Sequence, residues 1–152
     1  MRMIFEHASR MPGNTAFDAV KFKPARNRPY PSTKPYPSTA LWASIANEQK
    51  NWTRYIAQNY ASWEVKSGFT FALDAMARLV VVRTIDDIDN LPKLYKDEHV
   101  GFDWEDMSRT IDAVLVHDAV INEHPFIGWD VPSLVVLNPD VVQTTHSLVQ
   151  AV

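Results

Sequence analysis

Two short apolar runs, Ala113-Val114-Leu115-Val116 and Leu134-Val135-Val136-Leu137, are uninterrupted by polar residues and rich in β-branched side chains. Such runs suit strands buried on both faces, near the middle of a sheet. Between them lie Asn122, Glu123, His124 and Pro125, followed by Phe126-Ile127-Gly128-Trp129-Asp130. The Asp130 carboxylate stands where this loop enters the second strand, at the rim of the expected sheet. Asn138-Pro139-Asp140 is a turn signal that closes the same strand.

Elsewhere the polar and apolar positions alternate. Met3, Phe5 and His7 fall on one side and Ile4, Glu6 and Ala8 on the other, which predicts a first strand ending near Ser9. Residues 39–46, 69–73 and 78–83 predict three further strands, the last blunted at both ends by arginines. Trp52, Tyr55, Ile56, Asn59, Tyr60 and Trp63 recur at helical spacing, with Asn47 as the expected cap and Glu48 in the first turn. Thr84 followed by Asp87, and Asp103 followed by Asp106, predict two brief helices, the first ending near Leu91-Pro92. Residues 93–100 read as a polar connection and 143–152 as a C-terminal tail. Helices that interrupt the strands without alternating with them favour α+β: one compact domain over residues 1–142, with a mixed, mostly antiparallel, split sheet and a few short helices.

One stretch fits neither period. Residues 21–39 form a basic, proline-rich arm carrying Lys21, Lys23, Arg26, Arg28 and Lys34, with the repeated pentad Pro-Tyr-Pro-Ser-Thr at 29–33 and 35–39. Alternate prolines forbid a helix or a central strand, so an extended arm of polyproline II character is expected, the most mobile part of the domain and able to act as a flap or a partner-binding segment.

Composition narrows the chemistry. The chain of 152 residues contains no cysteine, which excludes disulfides, thiol nucleophiles and thiolate zinc sites. A net charge of −3 implies no bulk attraction to nucleic acid or membrane. No apolar run approaches 18 residues and the first nine lack the hydrophobic region of a signal peptide, so a soluble, cytoplasmic protein is expected. The four glycines, at 13, 68, 101 and 128, cannot build a phosphate loop, and neither Ser44 nor Ser133 sits in a glycine-flanked nucleophile elbow. His117-Asp118 ends a strand, where neighbours point to opposite faces and do not reach one ion; Glu123 and His124 add ligand types without a recognised spacing. No metal site is expected.

What remains is a polar set at strand ends: His7, Ser9, Ser44 and Asp130. In this order the chain resembles the small mono-ADP-ribosyltransferases, including compact phage-associated members. The resemblance rests on His7-Ala8-Ser9 closing the first strand and on Leu41-Trp42-Ala43-Ser44 leading into a helix. It also rests on the strand and acidic helix from Leu79 to Asp87, on Asp112-Ala113-Val114, and on the run from Asp130 to Asp140. Ala8 stands where the family commonly has Gly, and Asp130 where it commonly has Glu.

The resemblance implies an ADP-ribosyltransferase-like fold and NAD as substrate, with nicotinamide released and ADP-ribose passed to a macromolecular acceptor, a protein more readily than a nucleic acid. It implies Asp130 as the catalytic carboxylate and His7 on the adenosine-side ribose. The Ala8–Ser9 backbone would hold the nicotinamide amide, with Ser44 beneath the ribose, Trp42 and Tyr55 against the nicotinamide ring, and cations of the arm near the diphosphate. Three other readings stay open: an NAD glycohydrolase, a non-catalytic inhibitor that docks through its Pro-Tyr arm, and a single-stranded nucleic-acid binder that uses the same arm.

Overall fold

The structure, a computed structural model, describes residues 2–9, 13, 15–18, 21–36, 39–59, 65, 67–121, 129 and 131–148. In chain order these supply β1 (Phe5–Ser9), β2 (Leu41–Ile45), α1 (Trp52–Asn59), β3 (Ser67–Leu73), β4 (Leu79–Val82), α2 (Ile85–Asp89), β5 (Lys93–Lys96), β6 (His99–Phe102), α3 (Trp104–Met107), β7 (Ala113–Val116), β8 (Ser133–Val136) and β9 (Val142–Ser147). Seven strands form one sheet in the order β4-β7-β8-β2-β1-β3-β9, and β5 with β6 makes a separate hairpin. Within the sheet only β4 and β7 run parallel. A parallel pair needs a long crossover, and here it contains α2, the hairpin and α3. The mixed, mostly antiparallel α+β reading therefore holds.

The two valine-rich runs are β7 and β8, paired from Ala113↔Val136 to Val116↔Ser133, and every residue of both is buried. Alternate side chains serve two cores. Ala113, Leu115, Leu134 and Val136 join Phe5, Leu41, Phe69 and Phe71 on one face. Val114, Val116 and Val135 join Ile88, Phe102, Trp104 and Met107 on the other. Each large side chain buried in this way contributes about 1.5–3 kcal/mol.

The short helices are secured by their caps. Thr84 and Asp87 exchange both capping-box hydrogen bonds at the start of α2. The Asp103 side chain accepts from the Asp106 amide at the start of α3. The cap of α1 differs from expectation. Asn47 sits at φ 66° in a turn, and the Arg54 amide donates to Asn51 Oδ1 at 2.9 Å. The helix begins at Trp52 because the preceding residues are spent reversing the chain after β2.

Two stretches without a strand signal are strands. Within 93–100, read as a connection, Lys93–Lys96 pairs with His99–Phe102 across a turn in which Asp97 adopts φ 53°. Within the expected tail, Val142–Ser147 is the edge strand β9, paired to β3.

The basic arm is not a loose extended segment. It folds back on itself, with the Tyr36 amide donating to Arg26 O at 2.7 Å and the Ala40 amide to Lys23 O at 2.7 Å. Its Ala25 amide reaches Leu137 O at 3.0 Å. Asn27 clamps it to α3: Oδ1 accepts from the Trp104 amide at 2.7 Å and Nδ2 donates to Asp103 Oδ1 at 3.0 Å. The Phe102 amide donates to Ser32 O at 3.0 Å. Proline removes donors from the arm, but the amides of Ala25, Arg26, Asn27, Lys34 and Tyr36 are all used.

Gly101 shows how closely the arm lies on the hairpin. A Cβ at this position would press on the Ser32 amide nitrogen and lie 2.6 Å from the Pro31 carbonyl carbon and the Ser32 carbonyl oxygen. Gly101→Val is therefore expected to lift the arm, at a cost of roughly 1–3 kcal/mol typical of overpacking. Faster hydrogen exchange at residues 25–36, with the amides of β7 unchanged, is the measured outcome. Unaltered exchange in the arm would show that Gly101 does not hold it.

Candidate functional site

The sheet has a seam between β1 and β2. These strands pair at only two positions, Phe5↔Ile45 and Glu6↔Ser44, and then diverge. Beyond that point β1 continues along β3, with His7↔Phe69 and Ala8↔Gly68, while β2 continues along β8. His7 Nδ1 bridges the parting and lies 2.7 Å from Trp42 O. A carbonyl can only accept, so Nδ1 carries the proton and Nε2 is left as an acceptor. The ring packs edge-on to Phe22 at 5.0 Å and against Phe69 at 5.2 Å.

Burial lowers the His7 pKa below its ordinary 6.5, and the hydrogen bond to Trp42 opposes this without reversing it. The imidazole is neutral at pH 7. Because the unfolded chain binds this proton more readily, the contribution of His7 to stability is present above about pH 6.5 and is lost as the pH falls below it.

A cavity of about 600 Å³ opens at the parting. His7, Ala8 and Trp42 line it from the two strands, and Trp52 and Ile56 from α1. The arm contributes Lys21, Arg28, Lys34 and Tyr36, which join Phe22 on the remaining wall. The lining thus combines aromatic and apolar side chains with three cations. Volumes of 300–1,000 Å³ are typical of small-molecule and cofactor sites.

The expected site residues divide into groups. His7, Ala8 and Trp42 meet at the cavity. Ser44 is buried and works from behind: its Oγ accepts from the Trp52 amide at 3.1 Å and so fixes the start of α1. Ser133 holds the same tryptophan, accepting from Trp52 Nε1 at 3.0 Å while donating to Val131 O at 2.8 Å. Tyr55 packs edge-on to Trp52 at 5.8 Å and is not on the cavity wall. Ser9 pairs with Ser67 at the end of β1, also off the wall.

Asp130 lies outside the described residues. Its neighbours Trp129 and Val131 are buried, and the Trp129 ring packs at a tilt, 4.8 Å between centres, on the ring of Trp42, which lines the cavity.

Phe22, Trp52 and Ile56 belong to the wall although the sequence marked none of them as site residues. Trp52 and Ile56 are four apart on a stripe that reads as core-facing, and a cavity wall uses the same spacing.

His117 and Asp118 are otherwise engaged. His117 Nδ1 accepts from the Ala119 amide at 3.0 Å, and Asp118 pairs with Lys50 at 3.0 Å. Among the described residues no three His, Asp or Glu side chains gather as a metal site, and no helix is long and apolar enough to cross a membrane. No protein-family model, curated protein or solved structure matches the chain.

Proposed function

We propose that the protein is an NAD-dependent mono-ADP-ribosyltransferase that binds NAD in the cavity between β1 and β2. The observation that carries this reading is the wall itself. The neutral acceptor His7 and the aromatic Trp42 line the same cavity of about 600 Å³ as Lys21, Arg28 and Lys34. A dinucleotide needs this combination: apolar and aromatic surface for its rings, an acceptor for a ribose hydroxyl, and cations for a diphosphate of two negative charges.

Cleavage of the nicotinamide–ribose bond leaves positive charge on the sugar. A carboxylate fixed near that carbon stabilises the transition state more than the ground state, where catalysis must act. Asp130 takes this role, carried by a backbone whose preceding side chain, Trp129, is packed on Trp42. His7 accepts from a ribose hydroxyl through Nε2, and Trp42 packs the nicotinamide ring. Ser44 and Ser133 act indirectly by holding Trp52.

The decisive experiment is incubation of the protein with NAD and measurement of free nicotinamide. Release together with a modified macromolecule supports transfer, and release with free ADP-ribose alone points to a glycohydrolase. Neither release nor NAD binding would overturn the reading in favour of a non-catalytic binding module.

His7→Ala should weaken binding of a non-hydrolysable NAD analogue by about threefold to tenfold, the worth of one hydrogen bond in a partly buried site. The same variant should lose the fall in stability below pH 6.5. Calorimetry and pH-dependent melting check both, and unchanged affinity would remove His7 from the site.

A further inference from the structure

We propose that the acceptor is a single-stranded nucleic acid, held on the surface formed by the arm and the β5–β6 hairpin; this rests on the transferase reading above. Between residues 21 and 36 the chain has five cations and no acid, although its net charge is −3, so the rest of the molecule is distinctly acidic. Among the described residues, Lys23 and Arg26, which do not line the cavity, have no carboxylate partner. A solvated loop would spread such charges over many conformations. Here the Tyr36–Arg26, Phe102–Ser32 and Asn27–Trp104 hydrogen bonds hold the backbone that carries them against the hairpin and α3. Cations concentrated on a held segment of an otherwise acidic chain attract a polyanion there and repel it elsewhere.

The aromatic component argues for a single strand. Tyr30 is 57% exposed, with Lys96 Nζ 4.6 Å from the centre of its ring and His99 edge-on at 6.0 Å. A base can stack on the open side of this ring while Lys96 meets the adjoining phosphate. Tyr36 is 48% exposed and also lines the cavity, which makes it a second platform at the mouth of the NAD site. A duplex keeps its bases stacked on one another and gains nothing from either tyrosine. An acidic peptide would use the cations but not the rings.

The transfer step is then a displacement at C1′ of the nicotinamide ribose. A base nitrogen forms the new bond to C1′, the bond to nicotinamide breaks with its electron pair leaving on nicotinamide, and the proton of the attacking nitrogen passes to solvent.

The test has two arms. In the first, fluorescence anisotropy without NAD compares a labelled 12-nucleotide single strand, as DNA and as RNA, with the corresponding duplex and with a polyglutamate peptide. At least one single strand should bind more tightly than duplex or peptide. Tyr30→Ala should weaken it about fivefold or more with the salt dependence unchanged. Arg26→Ala should lower the slope of log affinity against log salt by about 0.7, one phosphate contact. Tyr95→Ala is the control: it is an exposed tyrosine next to Lys96 on the strand, hence on the other face of the hairpin. Binding of the peptide as tight as that of the strand, or no effect of Tyr30→Ala, would overturn the proposal. In the second arm, NAD labelled in its adenosine part is added with the strand. Label should appear on the oligonucleotide. Nicotinamide release without label on a bound strand would overturn the acceptor assignment and leave the NAD reading standing. Strand binding with no nicotinamide release would instead bring down the NAD reading, and the acceptor assignment with it.

Discussion

Asp130→Asn is expected to lower nicotinamide release by about two orders of magnitude or more. Loss of a preorganised electrostatic group costs roughly 3–4 kcal/mol in the transition state. Affinity for NAD should change far less, because the negative charge matters most once positive charge has developed on the ribose. The substitution preserves size and most hydrogen-bonding capacity, so the buried flanks Trp129 and Val131 have no reason to move. The melting temperature should stay level or rise, since active-site charges are commonly held at some cost in stability. A purely structural Asp130 predicts the reverse: lower stability with turnover intact. Of the two arginines that bound β4, Arg78 and Arg83, either of which could serve as its ion-pair partner in such a role, Arg78 is engaged with Asp112 at 2.7 Å. Nicotinamide release and melting measured on the same protein separate the two roles. Full activity in Asp130→Asn would end the proposed mechanism.

The central strands were legible because burial on both faces leaves no polar residue in β7 and only the buried Ser133, at its first position, in β8. The starts of α2 and α3 were legible because a capping side chain reaches the amide three residues on, and that spacing is visible in Thr84–Asp87 and Asp103–Asp106. The edge strand β9 was not. It runs Val142-Gln143-Thr144-Thr145-His146-Ser147, and an edge that faces water has no need of an apolar alternation. The β5–β6 hairpin lacked a glycine at its turn, where Asp97 takes the left-handed conformation instead. The docking of the arm has no local signature at all. It depends on Asn27 reaching residues near 104, 77 positions away, and on the absence of a Cβ at Gly101.

Of the residues to which the resemblance points, His7, Ala8 and Trp42 line one cavity, whereas Ser9 and Tyr55 are off its wall. The resemblance implies a ligand role for Ser44, but a small hydroxyl at a strand end looks the same in sequence whether it meets a substrate or the first amide of a helix. Here it meets the Trp52 amide. Chemical type alone does not distinguish the two; only the direction of the strand relative to the seam does.

Asp112→Ala should be among the most damaging substitutions of a polar residue away from the cavity, costing about 3 kcal/mol. Asp112 is 7% exposed and lies just before β7. Its Oδ2 accepts from the Arg78 amide at 2.8 Å and from Arg78 Nε at 3.1 Å. Its Oδ1 accepts from Arg78 Nη2 at 2.7 Å and from Asn138 Nδ2 at 2.8 Å. One carboxylate therefore ties together the ends of β4, β7 and β8, the three strands at one side of the sheet. Removing one partner of a buried pair strands the donors it satisfied, which is worth roughly 3–5 kcal/mol when burial is complete. Arg78 is half-exposed and can turn to water, which puts the expected loss at the lower end. For a domain of this size that corresponds to a fall in melting temperature of roughly 6–12 °C. The pH dependence identifies the cause. The Arg78 hydrogen bonds hold the Asp112 carboxyl well below its usual 3.8, at about 2. A carboxylate with a depressed folded pKa contributes its stability in full above about pH 4 and loses it as the pH falls toward 2. The native protein should lose stability over that window, and Asp112→Ala should lose correspondingly less. Equal slopes in the two proteins, or melting temperatures that coincide at pH 7, would show that the ion pair is surface ornament and that packing of β7 and β8 alone holds this end of the sheet.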